Sequence, residues 1–401
     1  MNQELIKELS RTSPEKIVML IIDGLGGLPD PATGKSELET AILPNLDALA
    51  ARSICGLADP VGPGITPGSG PGHLAVFGYD PITCQIGRGA LEAVGIDVEL
   101  QPNDVAARGN FCTVDENGII TDRRAGRVAT NISAKLCELL EKVTIPGITL
   151  LVRPVREHRF VVVFRGDGLV AEVTESDPSQ KGVKPLPVAP ESPDGRKLAG
   201  VANEFIEKAA VILAGRHPAN MVLLRGFARK PDFPTMQEIY KLNPLAIALY
   251  SMYRGLARLV GMDVDDSGGS TLQDEIKALK KNYGAYDFFF VHVKWTDSAG
   301  EDGDFARKVK ILEEVDAVIP SILALKPDVL VVTGDHSTPA AVQGHSWHPV
   351  PVLINAKHCR PDAVTEFTET AFIAGGLGRI LSSQIMPLAM ANALKLNKYG
   401  A

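Results

Sequence analysis

Residues 17–24 read IVMLIIDG, an unbroken apolar run, rich in β-branched residues, that stops at an acidic residue and a glycine. Three other stretches have the same form. Residues 288–293 (FFFVHV) end just before Lys294 and Asp297, and residues 329–332 (VLVV) run into Thr333-Gly334-Asp335-His336. Residues 350–354 (VPVLI) form a shorter run of the same kind. A strand that is apolar along its whole length, and not only at alternate positions, is one buried on both faces. The runs therefore predict an α/β core built on a largely parallel sheet, with helical periodicity over 305–325 between two of the strands. Such sheets bind ligands beyond the carboxyl ends of their strands. Three of these runs end there in acidic or histidine-bearing turns.

The middle of the chain reads differently. Between residues 96 and 229 the apolar runs are short and alternating (159–164, 169–173), turn signals such as Asp115-Glu116-Asn117-Gly118 appear, and 184–196 is a proline-rich surface loop. A chain of 401 residues exceeds one ordinary core. The expectation is a core of residues 1–95 and 230–401 with a smaller α+β domain, 96–229, inserted into it.

Hydrophobic residues make up 45% and charged residues 22% of the chain, the balance of a globular protein, and the formal charge is -7. That charge argues against a nucleic-acid partner, which requires a basic face. No stretch reaches the ~20 uncharged apolar residues that cross a bilayer, which argues against a membrane one. The polar start MNQELIKELSRTSPEK lacks a signal-peptide core, and five cysteines without a CxxC pair form neither a disulfide framework nor a cysteine zinc site. Together these point to a reducing, cytoplasmic setting. Oligomeric state is left unassigned.

Asp23, Asp297, Glu301, Asp335, His336 and His345 are carboxylates and imidazoles, the ligands that Mn²⁺, Zn²⁺ and Mg²⁺ share. Taken singly, each has a plainer reading. Asp23-Gly24 is also a turn, Asp335-His336 a helix cap, Asp297 and Glu301 solvated carboxylates, and His345 a hydrogen-bonding residue. Their recurrence at strand ends favours two bound cations, which can clamp the attacking and leaving oxygens of a phosphoryl displacement. Ser69, in Pro67-Gly68-Ser69-Gly70-Pro71-Gly72-His73, precedes a predicted helix whose amides favour an anion, and metal coordination can activate its hydroxyl. A flexible surface loop is the other reading of that segment. Arg123, Arg127, Arg225 and Arg229 all fall in the predicted insert and suit phosphate and carboxylate, with solvated surface charge the alternative. Asp23-Gly24-Leu25-Gly26-Gly27 is no dinucleotide fingerprint, because Pro29 stands where the third glycine belongs.

IIDGLGG (21–27), PGSGPGHLAVFGYDP (67–81), ARGNFCTV (107–114), HVKWTDSAGEDGD (292–304), VVTGDHSTP (331–339) and HSWHPVPVLI (345–354) follow one another over essentially the whole chain. In this order they resemble the alkaline phosphatase superfamily, and within it the archaeal-type cofactor-independent phosphoglycerate mutases. The resemblance implies an alkaline-phosphatase-like core and interconversion of 3-phosphoglycerate and 2-phosphoglycerate without 2,3-bisphosphoglycerate. One cation would be held by Asp23, Ser69, Asp335 and His336, the other by Asp297, Glu301 and His345. Mn²⁺ is the first expectation, with Zn²⁺, Mg²⁺ and Co²⁺ as alternatives. The family usually has histidine where this chain has Glu301, and His348 is a weaker candidate ligand. The implied mechanism is ping-pong: Ser69 takes the phosphoryl group, Arg123, Arg127, Arg225 and Arg229 hold the glycerate, and Lys294 stabilises charge on the transferring oxygens. Closure of the insert over the core would exclude water. A phosphatase or sister phosphomutase, and a non-catalytic metal-binding protein, are the competing readings.

Overall fold

The computed structural model describes residues 3–400. In chain order the strands are β1 (Ile17–Ile22), β2 (Ile54–Asp59), β3 (Val105–Val114), β4 (Ile120–Asp122), β5 (Thr149–Arg156), β6 (Arg159–Arg165) and β7 (Met221–Arg229). They continue with β8 (Pro244–Ile247), β9 (Asp263–Val264), β10 (Phe288–Val293), β11 (Val329–Thr333), β12 (Val350–Ala356) and β13 (Gly378–Leu381). Residues Ile86–Asp232 form one compact unit, and the described residues on either side of them form the other.

The larger unit is built on an eight-stranded sheet in the order β13-β2-β12-β11-β1-β10-β8-β9. Only β12 runs against its neighbours; the remaining pairs are parallel. β1, β10 and β11 are buried at every position, so their unbroken apolar runs follow from coverage of both faces. On one face Val18, Leu20, Phe289, Val291 and Leu330 pack with Leu46, Ile276, Leu312, Val315 and Ile319 from the helices Pro44–Ala50, Leu272–Asn282 and Phe305–Leu323. On the other, Phe290 meets Phe77 edge-on at 4.9 Å, beside the helix Ser69–Val76. Each fully buried side chain of this size contributes about 1.5–3 kcal/mol relative to exposure. The one polar residue of β10, His292, has its Nε2 3.4 Å from Asp23 Oδ2.

The smaller unit is a five-stranded antiparallel sheet, β4-β3-β6-β5, with β7 along the other side of β3. Phe160, Val162 and Phe164 of β6 face a core shared with the helices Thr130–Leu140 and Arg196–Leu213. Helix Arg88–Gly95 packs on the opposite face, where Gly89 lies so close to the backbone of Ala106 and Gly226 that a Cβ would clash. Residues 159–164 fall within β6, but 169–173 make no ladder, only a single bridge between Val173 and Pro190. The facing segment carries Pro185, Pro187 and Pro190, which have no N–H to donate to a strand pair.

Candidate metal centre

The site is assembled from the carboxyl ends of β1, β10 and β11. Asp23 follows β1, and Gly24 turns the chain away with φ +66, a conformation that glycine adopts without strain. Asp335 and His336 follow β11, and no helix starts there, so capping does not account for them. Asp297 lies not in a loop but in the helix Trp295–Glu301, with only 1% of its surface exposed. Ser69 opens the helix Ser69–Val76, whose Gly72 approaches the Asp335 backbone closely enough that a Cβ would lie 2.4 Å from its carbonyl oxygen. Gly72 thus permits the contact that seats this helix against the Asp335 turn.

Around His336 Nε2 three side-chain oxygens converge. Nε2 lies 3.3 Å from Asp23 Oδ1, 3.1 Å from Asp335 Oδ2 and 3.2 Å from Ser69 Oγ. The tautomer follows from Thr338. Its hydroxyl donates its one proton to Asp297 Oδ1 at 2.7 Å, so at 3.0 Å from His336 Nδ1 it must accept, and the ring proton sits on Nδ1. Nε2 is then a lone pair, to which Ser69 donates. Asp23 Oδ1 and Asp335 Oδ2 are buried and receive no hydrogen bond. The imidazole lone pair and the two unsatisfied carboxylate oxygens within this distance repel one another, and a cation between them reverses the sign. Burial lowers the pKa of His336 despite three nearby aspartates, Asp335, Asp23 and Asp297, which keeps it in the neutral form that ligates. The donor set fits a divalent metal.

A second grouping lies beside the first. His345 donates from Nδ1 to the Pro67 carbonyl at 2.9 Å, leaving Nε2 to face Asp297 Oδ1 at 3.5 Å and Glu301 Oε1 at 3.9 Å. The His336 and His345 rings stack at 3.7 Å. Asp297, His336 and His345 form one compact set of candidate ligands, and Asp23, Asp335 and His336 another. Glu301 belongs to neither, its side chain being 54% exposed. His348 bonds instead to Ser346. Lys294 donates to Asp297 and lies 3.1 Å from Asp23 Oδ2. Burial opposes its charge, but the two aspartates outweigh that and hold its pKa above the ordinary lysine range.

Several neighbours of this centre were not singled out from sequence. Tyr253 donates to Asp23, its ring stacked 3.7 Å from that of His292. His73 Nδ1 lies 2.8 Å from the Ser69 carbonyl and 3.1 Å from Asp335 Oδ2. Both histidines and Thr338 stand inside recognisable motifs; Tyr253, in a surface-patterned helix, carries no such signal.

In the smaller unit Arg123 grips Asp177 with two hydrogen bonds, 3.0 and 2.8 Å, and Arg225 lies 3.5 Å from the same carboxylate and 3.3 Å from Glu175. Arg127 is exposed on a short turn, and Arg229, also exposed, donates to the Leu169 carbonyl. The sequence reading missed Arg108, which pairs with Glu92 at 3.4 Å. Burial lowers its pKa, and the charges of Arg159, Arg88 and Arg225 add to that.

Fold and centre define a class: α/β proteins that gather aspartates, histidines and a helix-capped serine at the carboxyl ends of a mostly parallel sheet. The comparisons place the chain within it. Residues 50–220 match the profile of the 2,3-bisphosphoglycerate-independent phosphoglycerate mutases. Proteins named "Probable 2,3-bisphosphoglycerate-independent phosphoglycerate mutase" are similar over their whole length. That of Thermotoga neapolitana is 52% identical, covering 100% of this chain and 99% of its own, and that of Aquifex aeolicus is 49% identical, covering 99% and 100%. Among solved structures, a Pyrococcus horikoshii protein superposes with a TM-score of 0.84 at 31% identity, over 96% of this chain and 99% of its own. The cofactor-independent phosphoglycerate mutase of Thermoplasma acidophilum does so at 0.75 and 30%, over 94% and 100%. The chain belongs to the 2,3-bisphosphoglycerate-independent phosphoglycerate mutase family, a family of isomerases.

Proposed function

We propose that the chain interconverts 3-phosphoglycerate and 2-phosphoglycerate through a phosphoserine on Ser69, with no requirement for 2,3-bisphosphoglycerate. The observation that carries this reading is the Ser69 hydroxyl 3.2 Å from a deprotonated His336 nitrogen, among buried carboxylate oxygens that no hydrogen bond satisfies. Asp23, Ser69, Asp335 and His336 would hold one divalent cation, and Asp297, His345 and Glu301 a second, Mn²⁺ before Zn²⁺, Mg²⁺ or Co²⁺. Bound there, the cations supply Lewis acidity toward phosphoryl and serine oxygens.

The chain's own groups do the rest. Ser69 Oγ attacks phosphorus and gives up its proton as the bond from phosphorus to the glycerate oxygen breaks. That oxygen takes a proton; the other hydroxyl of the same glycerate then gives up its proton and attacks the phosphoserine, and the bond from phosphorus to Ser69 Oγ breaks as Oγ is protonated again. Lys294, charged and aimed at the aspartates, stabilises negative charge as it builds on the transferring oxygens. Arg123, Arg127, Arg225 and Arg229 are the proposed binders of the phosphoglycerate anion, with Arg108 added to them. The reaction is a step of glycolysis and gluconeogenesis, which matches a cytoplasmic enzyme, and no described helix is long and apolar enough to cross a membrane.

The test is turnover of 3-phosphoglycerate by purified protein with Mn²⁺ and no 2,3-bisphosphoglycerate, following 2-phosphoglycerate and inorganic phosphate together. Formation of 2-phosphoglycerate with little free phosphate is expected. Phosphate alone would make the activity a phosphatase, and neither product would remove the catalytic reading.

A further inference from the structure

Behind the centre lies a lysine that the chemistry above does not use. Lys308, in the helix Phe305–Leu323, is fully buried. Its ammonium donates to the Gly26 carbonyl at 3.0 Å and the Thr338 carbonyl at 2.9 Å, and lies 3.7 Å from Glu37 Oε1. A buried ammonium is costly unless each proton finds an acceptor, and here three acceptors surround it. Such a cost is retained where the contacts accomplish something that an apolar side chain cannot.

The two carbonyls belong to the two turns that carry the centre. Gly26 follows Asp23 by three residues. Thr338 follows His336 by two, and its hydroxyl is the group that orients both Asp297 and the His336 ring. Glu37, also fully buried, ties the same turns from the other side, accepting from Leu28 N at 3.2 Å and from Ala340 N at 2.8 Å. Glu369 accepts from Gly27 N at 2.8 Å. The turns also meet directly: Thr338 N lies 3.1 Å from the Gly26 carbonyl and 3.4 Å from that of Gly24, and Ser337 forms bridges to Leu25 and Gly26. Lys308 thus closes a bridge between the strand end that bears Asp23 and the one that bears His336.

We infer that Lys308 is a positioning residue of the metal centre: by holding the Gly26 and Thr338 carbonyls on one ammonium it fixes how far Asp23 stands from His336 and Asp297. The inference rests on reading those three residues as metal ligands. An apolar side chain in its place would fill the space yet leave the Thr338 carbonyl without this donor, the Gly26 carbonyl with only Thr338 N, and Glu37 without its cation. The turns would relax, and ligands displaced by even a fraction of an ångström bind metal less well, because orientation by surrounding groups governs affinity.

The experiment compares Lys308→Met with Lys308→Met and Lys308→Gln, each of the latter two combined with Glu37→Gln, in the full chain. The paired change removes both charges, so that an uncompensated buried carboxylate does not confound the result. Bound Mn²⁺ is counted by the loss of the free-ion EPR signal, alongside thermal unfolding and kcat and KM for 3-phosphoglycerate. In the folded Met/Gln double variant we expect Mn²⁺ to bind at least tenfold more weakly and kcat to fall at least tenfold, with KM within twofold. The Gln/Gln variant, which restores an N–H donor for the carbonyls, should recover part of the Mn²⁺ affinity. A folded Met/Gln variant that binds Mn²⁺ and turns over like the parent overturns the inference, as does the absence of any difference between Met and Gln. If the parent itself binds no Mn²⁺ and is indifferent to chelator, the metal reading fails, and the role of Lys308 with it.

Discussion

Oγ of Ser69 lies 3.2 Å from Nε2 of His336, and the proton of that imidazole is on the far nitrogen, held by Thr338. The serine, at the amino end of its own helix, therefore donates to a lone pair.

Replacing Ser69 by alanine should reduce turnover by roughly 10³-fold or more, the scale on which removal of a nucleophile acts, while thermal unfolding stays within a few degrees of the parent. Parent incubated with phosphate-labelled substrate and quenched in acid should carry label on protein, and the alanine variant none. Undiminished turnover would remove Ser69 from the mechanism.

Thr338→Val keeps the shape of the side chain and deletes the hydroxyl that positions Asp297 and sets the His336 tautomer. Groups that orient a metal's ligands are worth about 10–100-fold in affinity or activity, so Mn²⁺ half-saturation should rise by that factor. Titration of activity and of bound Mn²⁺ measures it, and an unchanged half-saturation would mean that Thr338 orients nothing that matters.

Glu301 stands where the resembling family usually has histidine, with its carboxylate 3.9 Å from His345 Nε2. If it ligates, Glu301→His should raise the affinity for Zn²⁺ relative to Mn²⁺ by about tenfold, since imidazole is the softer ligand, and Glu301→Ala should weaken one of two Mn²⁺ sites. Competition between the two ions reads the ratio directly. Indifference of metal binding to both changes would take Glu301 out of the ligand set.

Away from the centre, Glu275 is buried with neither carboxylate oxygen hydrogen-bonded, and burial, with the nearby Asp274 charge adding, pushes its pKa up to about 9. A carboxyl whose pKa is higher folded than unfolded favours folding most below its unfolded value. That contribution is lost as pH climbs toward the folded one. Stability should therefore decline between about pH 4.5 and 9 through this group. Glu275→Gln, which cannot ionise, should be more stable than the parent by on the order of 1–3 kcal/mol at pH 7.5 and should lose that advantage near pH 4.5. Denaturant unfolding at the two pH values decides; an equal difference at both would exclude ionisation as the cause.

The sheet was legible because β1, β10 and β11 are covered on both faces, which writes them as continuous apolar runs. The residues that follow those runs were legible for the same reason: once a strand is placed, its carboxyl end is a location. Asp297 was found at the right strand but in the wrong kind of structure, since a seven-residue helix starts where the run stops. What sequence could not reveal are contacts made by tertiary folding alone. Tyr253 reaches Asp23 from a helix with an ordinary amphipathic pattern, and Lys308 reads as one more charge on a helix until that face is seen to be covered. Arg108 sits in a strand that looked like any other of the insert, and its proximity to Arg88 and Arg159 depends on β3 pairing with β6 while Arg88 opens the helix packed on that sheet.

The pairing of β1 has a further consequence, for synthesis. Ile17 lies beside Phe288 on one side and Val329 on the other, and β1 has no earlier partner in the sheet. As the chain leaves the ribosome, β1 emerges before either of its partners, while β3 through β7 find theirs within residues 105–229. The smaller unit can thus be finished during translation before β10 and β11 exist, and the strand ends that bear Asp23, Asp297 and His336 come together only after β11 has been made.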